Sequence, residues 1–131
     1  MEKQKTLLLK VLLPLVFITF LIDCKPSDSI ISAIESTAKT GFEKIGGRDD
    51  GMLIYRKELP NDVGKPLVSQ IKGVIDKKLN ILPNENIPIG KSDYAGNLFE
   101  SYGWETTKAK VTMYAQYKKS TVVFEITVLN K

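Results

Sequence analysis

The sequence predicts a two-layer α+β domain: an antiparallel sheet of three to four strands with two helices on one face, in the order α-β-α-(β)-β-β. Three observations carry this. Apolar residues recur at three- and four-residue steps in two separate stretches, residues 30–45 and 63–79. From residue 109 to 128 they alternate with mostly polar ones, Val123 excepted, broken once by Lys118-Lys119-Ser120. Helical stripes joined to an alternating hairpin give a sheet with one buried face.

The first helix is expected to start near Ser27 to Ser29, where serine and aspartate side chains can cap free amides; Ser32 and Glu35 offer a later start at capping-box spacing. Its stripe is Ile30, Ile31, Ile34, Ala38, Phe42 and Ile45, and Gly46-Gly47 would end it. Arg48-Asp49-Asp50-Gly51 reads as a turn, and residues 52–57 as a short strand on the propensities of Leu53, Ile54 and Tyr55. The second stripe is Val63, Leu67, Val68, Ile71, Val74, Ile75 and Leu79, with Lys65, Lys72, Asp76 and Lys77 opposite. Pro66 belongs in a first turn, so this helix should begin between Asp62 and Lys65. Residues 81–93, with Pro83, Pro88 and Gly90, read as a loop. Residues 98–104 can add a strand, since Leu98, Tyr102 and Trp104 share a parity that Glu100 interrupts. The expected core is Ile34, Phe42, Leu67, Ile71, Ile75, Val111, Met113, Phe124 and Ile126.

Composition narrows the chemistry. Among 131 residues there is no histidine and one cysteine. Intramolecular disulfides, thiolate-rich metal sites, Ser-His-Asp triads and Cys-His pairs are thereby excluded. Three of the 19 basic and two of the 15 acidic residues fall in residues 1–24, which leaves the rest at +3. So small an excess calls for no nucleic acid partner.

Residues 1–24 do not read as part of the domain. Lys3 and Lys5 precede an apolar run whose uninterrupted part is residues 11–22. A helix of that length reaches about 18 Å against a hydrocarbon core of about 30 Å, and Pro14 weakens it further. The run has the length of a secretory signal peptide's hydrophobic region, yet no Ala-x-Ala site ends it. It ends instead in Leu21-Ile22-Asp23-Cys24, followed by Lys25-Pro26-Ser27-Asp28-Ser29. This segment resembles the signal peptide of bacterial lipoproteins, in which an aliphatic residue and two small residues precede a cysteine. Leu21 matches that pattern at −3, while Asp23 stands where the family carries Gly, Ala or Ser. The resemblance implies cleavage between Asp23 and Cys24, acylation of Cys24, a short tether over residues 24–28 and a domain over 29–131. It also implies export and a lipid anchor on a bacterial membrane, at the periplasmic face or the cell surface. An uncleaved membrane anchor is the competing reading.

Several motifs imitate chemistry without its context. Ser36-Thr37-Ala38-Lys39 and Lys39-Thr40-Gly41 match pieces of penicillin-recognising enzymes, but they overlap at Lys39 and cannot face each other across a cleft. Gly90-Lys91-Ser92 matches the end of a phosphate loop, yet Glu85 stands where the preceding glycine is required. Asp49 and Asp50 are too few ligands for calcium. Glu100 and Glu105 beside Trp104 are the one carboxylate pair with a hydrolase's composition.

What remains is a binding patch. Lys108, Lys110 and Tyr114 lie on the polar parity of the hairpin with Tyr102 and Trp104 just upstream, and rings beside lysines bind sugars, peptides or anionic groups. The wet face of an antiparallel sheet carries the same residue types. With the location that the resemblance implies, the expectation is a lipid-anchored envelope protein without catalysis or cofactor, working on an envelope protein, peptide or glycan partner. The alternatives are a carboxylate hydrolase of the envelope and a purely structural subunit of a membrane complex.

Overall fold

The computed structural model describes residues 25–47, 51–81, 88–92 and 97–131. The signal-like segment with Asp23 and Cys24, the Asp49-Asp50 turn and much of the 81–93 loop lie outside these residues. The domain runs α1 (Pro26–Ala38), β1 (Glu43–Gly47), β2 (Met52–Pro60), α2 (Asn61–Lys78), β3 (Ile89–Ser92), β4 (Leu98–Glu105), β5 (Ala109–Tyr117) and β6 (Thr121–Asn130). Six strands form one antiparallel sheet in the order β1-β2-β6-β5-β4-β3. A hairpin, β1 and β2, is thus joined through α2 to a four-stranded meander whose last strand returns to pair with β2.

The α+β class holds, but the sheet has six strands where three to four were expected. One extra strand comes from the first helix, which ends at Ala38 and not near residue 45. Lys39 turns left-handed (φ 56°), and its amide and that of Thr40 both donate to the Glu35 carbonyl. The Glu35 carboxylate accepts the Phe42 amide at 2.7 Å, so the chain reverses there. Phe42 still joins the core, as its spacing demanded, from the approach to β1; Ile45 is instead exposed. A second extra strand, β3, lies inside the expected loop and pairs along β4, with Ile89 opposite Ser101. Its Ile-Gly-Lys-Ser sequence has little strand propensity of its own, so partner context makes it a strand. The helix starts also move. α1 opens at Pro26, ahead of the serines, with Lys25 as its uncapped N-cap. α2 opens at Asn61, whose side chain and amide both donate to the β5–β6 turn, at Lys119 and Ser120 carbonyls respectively. Pro66 therefore sits in the second turn, on an exposed face where water can serve the carbonyl it leaves free.

Both helices lie on the sheet face formed by the alternating residues Val111, Met113 and Ala115 of β5 and Val122, Phe124, Ile126 and Val128 of β6. Every residue of the expected core is buried. The buried face of α2 is Gly64, Leu67, Val68, Ile71 and Ile75, while Val63 points to solvent. Gly64 replaces it because α2 comes so close to β6 that a methyl group there would lie 2.8 Å from Val122 Cβ. Gly64→Ala should therefore destabilise the fold by about 1–2 kcal/mol, the overpacking cost outweighing the gain in helix propensity. Gly73, on the exposed side of the same helix, has no neighbour within 4 Å of an added methyl. Gly73→Ala should stabilise by up to about 1 kcal/mol. Opposite signs in urea unfolding are the expected result, and equal signs would mean that α2 is not seated on β6 in this way.

Candidate functional site

The structure divides the residues of the expected patch. Trp104 is buried on the helix-covered face of β4, opposite Val111, and its indole N–H donates to Asp76 Oδ1 of α2 at 2.7 Å. Tyr102, two residues earlier, shares that face, stacks on Trp104 with ring centroids 6.1 Å apart and donates its hydroxyl to Glu100 at 2.8 Å. Tyr114 lies on the face away from the helices, half-buried against Phe99 with centroids 4.9 Å apart. Lys110 is exposed on the same face as Tyr114, four residues along one strand, hence about 14 Å away. Lys108 sits in the turn between β4 and β5. Trp104 therefore cannot act with Lys110 and Tyr114 on one ligand. The carboxylate pair fails the same geometric test. Glu100 and Glu105 differ in parity along β4, so their side chains leave opposite faces, and Glu105 is held by Lys131 at 2.8 Å. They do not flank one bond.

Electrostatics on the inner face follow from burial. Tyr117 is pushed up to about 12 by burial and by the neighbouring Glu100 charge. Tyr102 is raised further, by burial first and then by its bond to Glu100. Both phenols stay protonated as hydrogen-bond donors at any physiological pH. Asp76, expected on the solvent side of α2, is buried and also pairs with Lys72 at 3.4 Å. The reason is the indole donor, which needs an acceptor once Trp104 is enclosed. Lys72 in turn lies 5.9 Å from the Tyr102 ring centroid. This cluster is a clasp between α2 and β4 with its polar groups satisfied, and it leaves no open position for a ligand.

A concave feature that sequence reasoning missed lies at one end of the domain. The start of α1, the end of α2 and the β4–β5 turn enclose a cleft of about 320 Å³. Ile30 and Leu79 form its apolar floor; Ser29, Asn80, Thr107 and two lysines, Lys78 and Lys108, supply its polar rim. No local pattern joins residues 29, 78 and 108. The usable signal was indirect: two stripes buried against one sheet must bring the first turn of one helix near the last turn of the other when they run antiparallel.

α1 is fixed to this end by a reciprocal pair. The Ser27 amide donates to Asn130 Oδ1 at 3.0 Å, and Asn130 Nδ2 donates to Ser27 Oγ at 2.9 Å. Ser27 is fully enclosed, so its role is not the exposed cap expected from its residue type. The chain before Pro26 therefore leaves the domain beside the end of β6 and the rim of the cleft. No family model, characterised protein or solved structure matches the chain.

Proposed function

We propose that this chain is a lipid-anchored envelope protein that acts by binding, with residues 1–23 removed and Cys24 acylated as the new amino terminus. The observation that carries the proposal is the position of the single cysteine, at the end of Leu21-Ile22-Asp23-Cys24 and directly after the apolar run. One structural fact supports it. The helix α1 begins two residues after Cys24, so attachment at that cysteine would hold the domain directly against its membrane. One acyl chain holds a protein only marginally; two or three, at about 0.8 kcal/mol per buried methylene, make release slow. The anchored domain offers a polar-rimmed cleft and a sheet face turned away from the helices, and its one candidate carboxylate pair is split across that sheet.

Intact-mass spectrometry of the membrane-extracted protein tests this. The expected species begins at Cys24 and carries the mass of its acyl groups, and it incorporates labelled palmitate. Cys24→Ala should abolish both processing and labelling, because the thiol is the attachment atom and no Ala-x-Ala site offers another cut. An uncut, unlabelled wild-type chain would overturn the proposal in favour of a retained amino-terminal anchor.

A further inference from the structure

We infer that the cleft-bearing end of the domain is a surface for anionic phospholipid headgroups, pressed onto the same membrane that holds the amino-terminal segment. The inference rests on the reading that residues upstream of Lys25 attach the chain to a membrane. Five exposed lysines gather at this end: Lys25, Lys78, Lys108, Lys110 and Lys131. Lys78 and Lys108 line the cleft, and the Lys131 amide donates to the Lys108 carbonyl at 3.0 Å, which ties the end of the chain's last strand to the β4–β5 turn. The acids described at the same end are Asp28, Glu105 and the buried Asp76; Glu105 is taken up by Lys131, and Asp76 by Trp104 and Lys72. The far end carries a comparable excess of bases over acids among the described residues, so the attachment of the chain, and not charge alone, selects the end beside Lys25.

Distance makes that placement consequential. From Cys24 to Pro26 the backbone spans at most about 7 Å, and the Ser27–Asn130 pair prevents α1 from swinging away. The screening length in physiological salt is about 8 Å, so lysines around the α1 start lie within the field of a charged surface. Each basic side chain held there favours the apposed state about fivefold. The positive end of the α1 dipole points the same way. The cleft adds a shape to the charge: its volume of about 320 Å³ sits at the low end of small-molecule sites, with lysine and hydroxyl groups over an apolar floor. That combination suits a phosphate ester bearing a glycerol backbone.

Trp104 is the only tryptophan and lies next to the β4–β5 turn, so energy transfer from it to dansyl-labelled headgroups reads the separation of this end from the bilayer. The full chain is incorporated in neutral phosphatidylcholine vesicles and in vesicles with about 30% phosphatidylglycerol, a charge density comparable to that of anionic leaflets. Transfer should be at least about twofold greater on the anionic vesicles, and high salt should remove the difference. Lys78→Glu with Lys108→Glu should remove it too, with an unchanged circular dichroism spectrum; Lys78→Gln with Lys108→Gln serves if the first pair does not fold. Equal transfer on both vesicles, or an undiminished difference in the folded double variant, overturns the inference. Loss of the signal with inorganic phosphate at matched ionic strength also overturns it, by assigning the cleft to a free anion. Failure of the anchoring reading is distinct from all of these, because the chain would then not float with neutral vesicles at all.

Discussion

Replacing Phe124 with alanine is expected to cost about 3–5 kcal/mol, a large part of the roughly 5–15 kcal/mol that holds a domain of this size together. Phe124 is the largest of the fully enclosed side chains. It sits mid-strand in β6, the strand flanked by both β2 and β5, with Lys57 and Ala115 as its register partners. Ala115 leaves room for the ring on one side, and Phe42 meets it with ring centroids 6.4 Å apart. The helices close the space above. None of these neighbours can collapse into the vacated volume without breaking strand register, so the cavity persists and adds to the lost transfer energy. Phe124→Leu, which keeps most of that volume, should cost less than about 1.5 kcal/mol. Chemical denaturation of both variants checks the ratio. A loss below about 1 kcal/mol for the alanine variant would mean that the core is not centred on β6.

Phe124 was legible because its environment is periodic. Alternation along residues 109–128 fixes which side chains share a face, and two strands joined by a short turn need no other information to pair. The α2 stripe was legible for the same reason. Phe42 shows the limit of such reasoning. It lies four residues beyond Ala38, so helical spacing placed it correctly in the core while placing it in the wrong element. What stops α1 is a lysine in the left-handed conformation, stabilised by the Glu35 carboxylate holding the Phe42 amide, and neither signal has a strong local signature. The strand β3 was illegible because its pairing energy comes from β4 and not from its own residues.

The misplacement of Trp104 has a different cause, since the information was present. Trp104 shares a parity with Leu98 and Tyr102, and a turn at Thr106-Thr107 sets it opposite Val111, a residue already assigned to the core. Cross-strand partners in an antiparallel pair share a face. Reading the aromatics together with the nearby lysines set residue type above register, and register decides. Asp76 was missed for the converse reason, because a buried carboxylate looks like any solvent-facing one until its donor is known. The cleft rim combined three segments that only tertiary packing brings together.

Trp104→Phe is expected to cost about 2–4 kcal/mol, of which the larger share is the hydrogen bond to Asp76. A bond from a neutral donor to a charged acceptor contributes about 1.5–3 kcal/mol, and its loss leaves Asp76 Oδ1 enclosed without the indole. Asp76→Asn keeps an acceptor for the indole but makes that bond a neutral one and weakens the 3.4 Å pairing with Lys72, so it should cost about 1–2 kcal/mol, less than Trp104→Phe. The informative variant combines Trp104→Phe with Asp76→Leu. It removes donor and acceptor together, leaves no orphaned carboxylate and should be more stable than Trp104→Phe alone. Lys72 can accommodate the change by extending toward water, since its side chain is already 19% exposed. Urea unfolding of the three variants gives the order, and a double variant no better than the single one would show that ring packing, not the clasp, sets the cost. The clasp also bears on the cleft. Asp76 lies two residues before Lys78 and Trp104 two residues before Thr106, so the bond between them fixes the separation of the two walls on which Lys78 and Lys108 stand. Trp104→Phe should therefore raise amide hydrogen exchange at residues 78–80 and 106–108 more than at the far ends of α2 and β4, whereas Asp76→Asn should do so less.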